Sequence, residues 1–216
     1  MKSPTLAETY RPSAWADVVA QDPAIARIRA VGARGFTGRA FWITGVSGSG
    51  KTTIARLLAA EVASPLGILE MDAGELNGAR VRDLESSLQV YGMGQKTGRA
   101  VIVNESHGLS KDSIRALLVA LERIPGHAIW IFTTTADGES ALFDDSIDAG
   151  PLLSRCILIP LARRDLAQAF AHRAHEIADR EGLNGRPESD YLALARKHKN
   201  NLRAMLQEVE TGGMMA

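Results

Sequence analysis

The chain has 216 residues, 45% of them hydrophobic, and its 25 Lys+Arg balance 25 Asp+Glu to a formal net charge of zero. That balance excludes a domain that grips nucleic acid by bulk charge, although local basic clusters stay open, and the apolar content excludes a disordered solvating chain. One cysteine, Cys156, excludes a disulfide framework and a cysteine-rich zinc site. The opening MKSPTLAETYRPSAW has no apolar leader core, and no run approaches the ~20 apolar residues of a membrane span, so a soluble, cytoplasmic protein is expected.

In chain order, the first β-rich run is Ala40–Thr44, followed by a glycine-rich turn and a helical pattern over Thr52–Val62. Gly67–Met71 reads as a second strand, Ala79–Val90 as a helix and Ala100–Val103 as a third strand. Asp112–Arg123 is a helix with Ile114, Leu117, Leu118 and Leu121 on one face and Ser110 available as N-cap. Ile129–Thr133 and Ile157–Pro160 complete five strands, and strands alternating with helices predict an α/β fold with a five-stranded, parallel sheet. Beyond Pro160 the strands stop. Arg163–Arg180, Glu188–Lys197 and Leu202–Glu210 read as three helices, so residues 1–160 are expected to form the core and 161–216 a small helical domain. The terminal TGGMMA is expected to fray.

The turn Gly45-Val46-Ser47-Gly48-Ser49-Gly50-Lys51-Thr52 fits G-x-x-x-x-G-K-[ST] and lies between a strand and a helix, where such a loop can cradle phosphate. Its glycines let backbone N–H groups turn inward, and the helix N-terminus adds partial positive charge. Lys51 is the candidate for the β/γ-phosphate oxygens and Thr52 for Mg²⁺, and Thr53 is a further candidate for binding the nucleotide. An acidic strand end should face this cradle. Val101-Ile102-Val103-Asn104-Glu105 offers one, but with Asn104 where Asp is common in such ATPases. Asn104 can accept the same hydrogen bond from a Mg²⁺-bound water without supplying charge. Glu105 is the candidate to prepare the attacking water. ATP binding is therefore expected, with hydrolysis slowed by Asn104. His107 has no second His or Cys at ligand spacing and is not read as a metal ligand.

These residues carry a resemblance to the AAA+ ATPases of the clamp-loader family. Leu6-Ala7-Glu8-Thr9-Tyr10-Arg11-Pro12 with Trp15-Ala16-Asp17-Val18-Val19-Ala20-Gln21 resembles the family's YRP…F-x-DVVGQ segment. That resemblance implies that Tyr10, Arg11, Pro12, Val18 and Val19 lie beside the adenine. Asn104-Glu105-Ser106-His107-Gly108-Leu109-Ser110-Lys111 with Ala116-Leu117-Leu118 is similar to DE-x-H-x-LS-K…ALLK. Leu153-Ser154-Arg155-Cys156 is similar to the SRC motif, which implies that Arg155 reaches the γ-phosphate of a neighbouring subunit in a ring-like oligomer. Cys156 is read as a small packed residue. Thr135 aligns with the family's γ-phosphate sensor, and Arg203, in a stretch similar to G-x-x-R-DAL, with a lid arginine that senses nucleotide in cis.

The resemblance further implies a P-loop core over 1–160, a helical lid over 161–216, ATP and Mg²⁺ as cofactors, and ATP closing the lid and ordering the ring. Other AAA+ subunits, DNA, and a sliding clamp or another replication protein are the implied partners. Lys111, Arg115, Arg80 and Arg82 are the candidates for DNA phosphates. Three departures stand out: Asn104, the absence of the four-cysteine zinc module of the family's bacterial members, and the lack of a third, collar domain after the lid, which fits either a truncated chain or a compact relative. Two alternatives follow from them. The chain is a nucleotide-binding structural subunit with little hydrolysis, or an ATPase of this type serving a phage or plasmid machine other than a clamp.

Overall fold

A computed structural model of the chain describes residues 4–135, 150–162 and 164–215. Its contacts divide it into two compact units, one of residues 26–45 and 51–160, the other of residues 1–25, 46–50 and 161–216.

The first of these units is built on the expected five-stranded parallel sheet, ordered β2-β3-β4-β1-β5. Its strands are β1 (Arg39–Gly45), β2 (Ile68–Asp72), β3 (Arg99–Asn104), β4 (Ala128–Thr135) and β5 (Cys156–Pro160). The central strands carry continuous apolar runs because both of their faces are covered. Phe41, Trp42 and Ile43 are 0% exposed, as are Val101, Ile102, Ile131 and Phe132. Trp42 stacks on Phe132 with centroids 5.4 Å apart, and Phe132 lies against Trp130.

Chain order gives α1 (Leu6–Thr9), α2 (Asp22–Gly32), α3 (Lys51–Val62), α4 (Gly78–Ser87) and α5 (Lys111–Ala120). Capping sets several ends. Asn77 accepts from the Arg80 N–H at the start of α4, and Ser110 from the Ser113 N–H at the start of α5, as expected of it. α4 stops three residues short of the expected Val90, and after α5 the residues 121–123 tighten into a 3₁₀ turn.

In the second unit, α7 (Ala167–Glu181), α8 (Glu188–Lys197) and α9 (Leu202–Glu210) are the three expected helices. A short α6 (Gly150–Leu153) precedes β5 in the first unit. The expected start at Arg163 lies outside the described residues, and Asp165 at φ 59° is left-handed, so α7 begins after it. Gly182 closes α7 in the left-handed conformation. Leu6 is buried with Phe170, Ile177, Tyr191, Met205 and Val209. Met214, expected to fray, is 5% exposed in the same cluster, and its carbonyl accepts from the Gly185 N–H at 2.9 Å. The apolar side chain near the terminus is what ties it down.

Glu208 on α9 accepts from the Lys197 Nζ at 2.7 and 2.8 Å and lies 2.6 Å from His198 Nε2. The Lys197 hydrogen bond, then that of His198, holds its carboxyl below the usual value of 4.5. A carboxyl lowered in the fold stabilises it above its unfolded pKa, and that contribution is lost as pH falls through the lower folded value. Glu208→Gln should melt about 1–3 °C below the wild type at neutral pH. Melting curves should converge below the carboxyl's folded pKa; a gap that persists there rejects the pairing. Among the described residues no helix is long and apolar enough to cross a membrane.

Candidate nucleotide site

β1 ends at Gly45 and α3 begins at Lys51, so the glycine-rich turn links the C-terminal end of a central strand to a helix N-terminus. Gly48 at φ 74° and Gly50 at φ 99° occupy conformations that side chains rarely adopt. A Cβ on Gly48 would stand 2.0 Å from Asn201 Oδ1, so only glycine fits there. Within the same unit the Ser49 hydroxyl donates to the Val46 carbonyl at 2.8 Å, and Asn201, the N-cap of α9, reaches the Ser47 hydroxyl at 3.5 Å. Gln21 is fully buried; its Nε2 donates to the Ser49 carbonyl at 3.3 Å and its Oε1 accepts from the Ala162 N–H at 2.8 Å. Sequence reasoning gave Gln21 no role of its own.

Lys51 is 7% exposed, and its ammonium donates to the Gly45 carbonyl at 3.2 Å. Thr52, at the first turn of α3, has its Oγ1 3.5 Å from Asn104 Oδ1, and Thr53 is buried behind it. Asn104 ends β3. Its Oδ1 also accepts from the Thr133 hydroxyl at 3.0 Å, and its Nδ2 donates to Glu70 Oε1 at 2.8 Å. Glu70 is paired in turn with Arg56, Nε to Oε2 at 2.7 Å and Nη2 to Oε1 at 3.2 Å.

The sheet explains this cluster. β4 runs between β3 and β1, and Val103 pairs with Phe132, so the next residue along each strand brings Asn104 level with Thr133. Thr135, the residue expected to act as sensor, lies two positions further at the strand end, half-buried. Its backbone carbonyl accepts from the Thr134 hydroxyl at 3.2 Å. Thr133, Glu70 and Arg56 were not singled out from the sequence.

Glu105 follows at φ 50°, left-handed, a strained backbone that turns the chain sharply off β3. Its carboxylate is half-exposed, with Oε2 3.4 Å from His107 Nδ1. Arg155 donates to the Pro151 carbonyl at 2.7 Å and pairs with Glu122. Burial pushes the neighbouring Cys156 thiol up to about 12, so at neutral pH it is a packed thiol rather than a nucleophile. Arg80 and Arg82 on α4, with Lys111 and Arg115 on α5, are exposed, and the two helices are joined by Asp112 accepting from the Gly78 N–H at 2.8 Å.

The adenine-side candidates have local partners. The Tyr10 hydroxyl donates to Glu181 at 2.6 Å, which raises its pKa, and Arg11 pairs with Glu8. Pro12, Val18 and Val19 are half-buried, with Val19 packed on the helical cluster. Arg203 is exposed in the first turn of α9.

The donor set fits a nucleoside triphosphate with a hard cation. A buried ammonium at a helix N-terminus suits phosphate. A threonine hydroxyl and an amide oxygen suit a cation that keeps most of its waters.

Residues 41–156 match the model of the ATPase family associated with various cellular activities (AAA). The chain is similar to DNA polymerase III subunit tau of Escherichia coli (strain K12), 29% identical over 95% of this chain and 34% of that protein. It is similar also to DNA polymerase III subunit gamma/tau of Mycobacterium tuberculosis (strain ATCC 25618 / H37Rv), 30% identical over 58% of this chain and 26% of that one. The chain thus spans about a third or less of these relatives' length. Among solved structures, the Thermotoga maritima RuvB Holliday junction branch migration motor shares the fold, with a TM-score of 0.67, 20% identity, and coverage of 93% of this chain and 64% of that one.

Proposed function

Since the chain belongs to the ATPase family associated with various cellular activities (AAA), we propose that it is a Mg²⁺-ATP-dependent switch or motor subunit of clamp-loader type, serving DNA replication or a related DNA transaction. Its likeness to the tau and gamma/tau subunits supports the replication setting. The observation that carries the nucleotide reading is the cluster of Lys51, Thr52, Asn104 and Thr133 at the end of the glycine-rich turn.

In this reading the N–H groups of residues 46–51 and the Lys51 ammonium hold the phosphates, and Lys51 exchanges its Gly45 carbonyl for a phosphate oxygen. Bound beside Thr52, Mg²⁺ would neutralise charge on the phosphate oxygens. Asn104 would offer its amide oxygen as an acceptor for a water of that cation. Glu105 takes the proton of the attacking water, and Thr135 orients it. Arg155 leaves Glu122 to stabilise the phosphoryl group held by a neighbour, and releasing an exposed pair of that kind costs only ~0–1 kcal/mol. Residues 1–160 and 161–216 act as core and lid.

The test is phosphate release from the assembled protein in mixing experiments. Arg155→Ala subunits should bind ATP as the wild type does yet lower their neighbours' turnover by about 10³-fold. Loss confined to the variant's own site would reject action in trans. Asn104 favours a second reading, a structural subunit that holds ATP and hardly turns it over; ordinary turnover by the native chain would exclude it.

A further inference from the structure

An aspartate at the end of β3 would present two equivalent oxygens. Asparagine presents an oxygen on one side and an NH₂ on the other, and only one orientation offers an acceptor to the Thr52 side. A reversed amide would point a donor at a cation or at its water, which also donates.

The hydroxyls of Thr52 and Thr133 cannot choose between the orientations, since each can donate or accept. Glu70 can, because an ionised carboxylate only accepts. It takes the Asn104 Nδ2 at 2.8 Å, and Arg56 holds it from behind through both carboxylate oxygens. The strands make the contact. Glu70 pairs with Ile102, which puts Asn104 at the diagonal position on the neighbouring strand, within side-chain reach. Because Arg56 already neutralises it, Glu70 contributes orientation rather than net charge.

We propose that Glu70, fixed by Arg56, is a positioning residue that keeps the Asn104 amide oxygen facing Thr52, so that this chain can bind a Mg²⁺-nucleotide without the usual acidic residue. The proposal rests on the nucleotide reading above and concerns binding, not turnover.

The test measures the affinity of a non-hydrolysable ATP analogue against Mg²⁺ concentration, and again in excess chelator. Glu70→Leu should raise the Mg²⁺ requirement about tenfold, the worth of one charge-assisted hydrogen bond, and leave chelator affinity unchanged. Adding Asn104→Asp to it should restore the requirement, since a carboxylate has no wrong way round. An unchanged requirement in Glu70→Leu, an equal loss in chelator, or no rescue by Asn104→Asp would overturn the proposal. One measurement needs no variant and no nucleotide. In the wild type, the Asn104 side-chain amide protons should show nuclear Overhauser contacts to the Glu70 γ-protons; contacts to the Thr52 methyl instead would overturn it. Failure of the wild type to bind the analogue at all would reject the nucleotide reading, a result distinct from either amide orientation.

Discussion

Lys51→Ala is expected to weaken ATP binding about 100-fold, measured by titration of a fluorescent nucleotide or by calorimetry. In the folded chain Lys51 is 7% exposed and its ammonium donates to the Gly45 carbonyl. A charge-assisted hydrogen bond contributes ~1.5–3 kcal/mol, and the upper end of that range is about two decades of affinity. The melting temperature should hold or rise slightly, because the variant no longer buries a cation. Affinity within about threefold of the wild type would remove Lys51 from the site.

Trp42→Ala should have the largest effect on stability. Trp42 is 0% exposed in the middle of β1, stacked on Phe132 of β4 and paired in register with Leu158 of β5. Truncating a buried Trp costs ~3–5 kcal/mol, which for a chain of this size lowers the melting temperature by roughly 6–20 °C. Leu66→Ala is the matched control: Leu66 is 84% exposed, and its truncation should change stability by less than ~0.5 kcal/mol. A comparable loss at both positions would mean that the sheet interior is not packed as described.

What the sequence disclosed followed from how local each signal is. β1, β3 and β4 announce themselves as apolar runs, and the glycine-rich turn is complete within eight consecutive residues. α2 had readable signals that sequence reasoning passed over: Asp22 and Pro23 at its start, Gly32 at its end, and Ile25 and Ile28 one turn apart and buried. The polar cluster was legible only in part. Asn104 and Thr52 sit in motifs, whereas Glu70 and Thr133 reach Asn104 because of a strand order and register that no spacing along the chain encodes. The same holds for Gln21, whose partners Ser49 and Ala162 are distant in sequence. Thr135 and Thr133 lie on one strand two residues apart, and only the overlap of β3 with β4 decides which of them meets Asn104.

The strand order also governs when the sheet can close during synthesis. Among the described residues β1 pairs with β4 and β5, and Arg39 meets its partner at Ile129, about 90 residues later. At ~5–20 residues per second, a ribosome needs roughly 5 to 20 s to supply that partner. For that interval Phe41, Trp42 and Ile43, fully hidden in the finished protein, have no strand to pair with. The nascent chain is therefore most exposed to aggregation while its second to fourth strands are still being made, and slower elongation lengthens that interval in proportion.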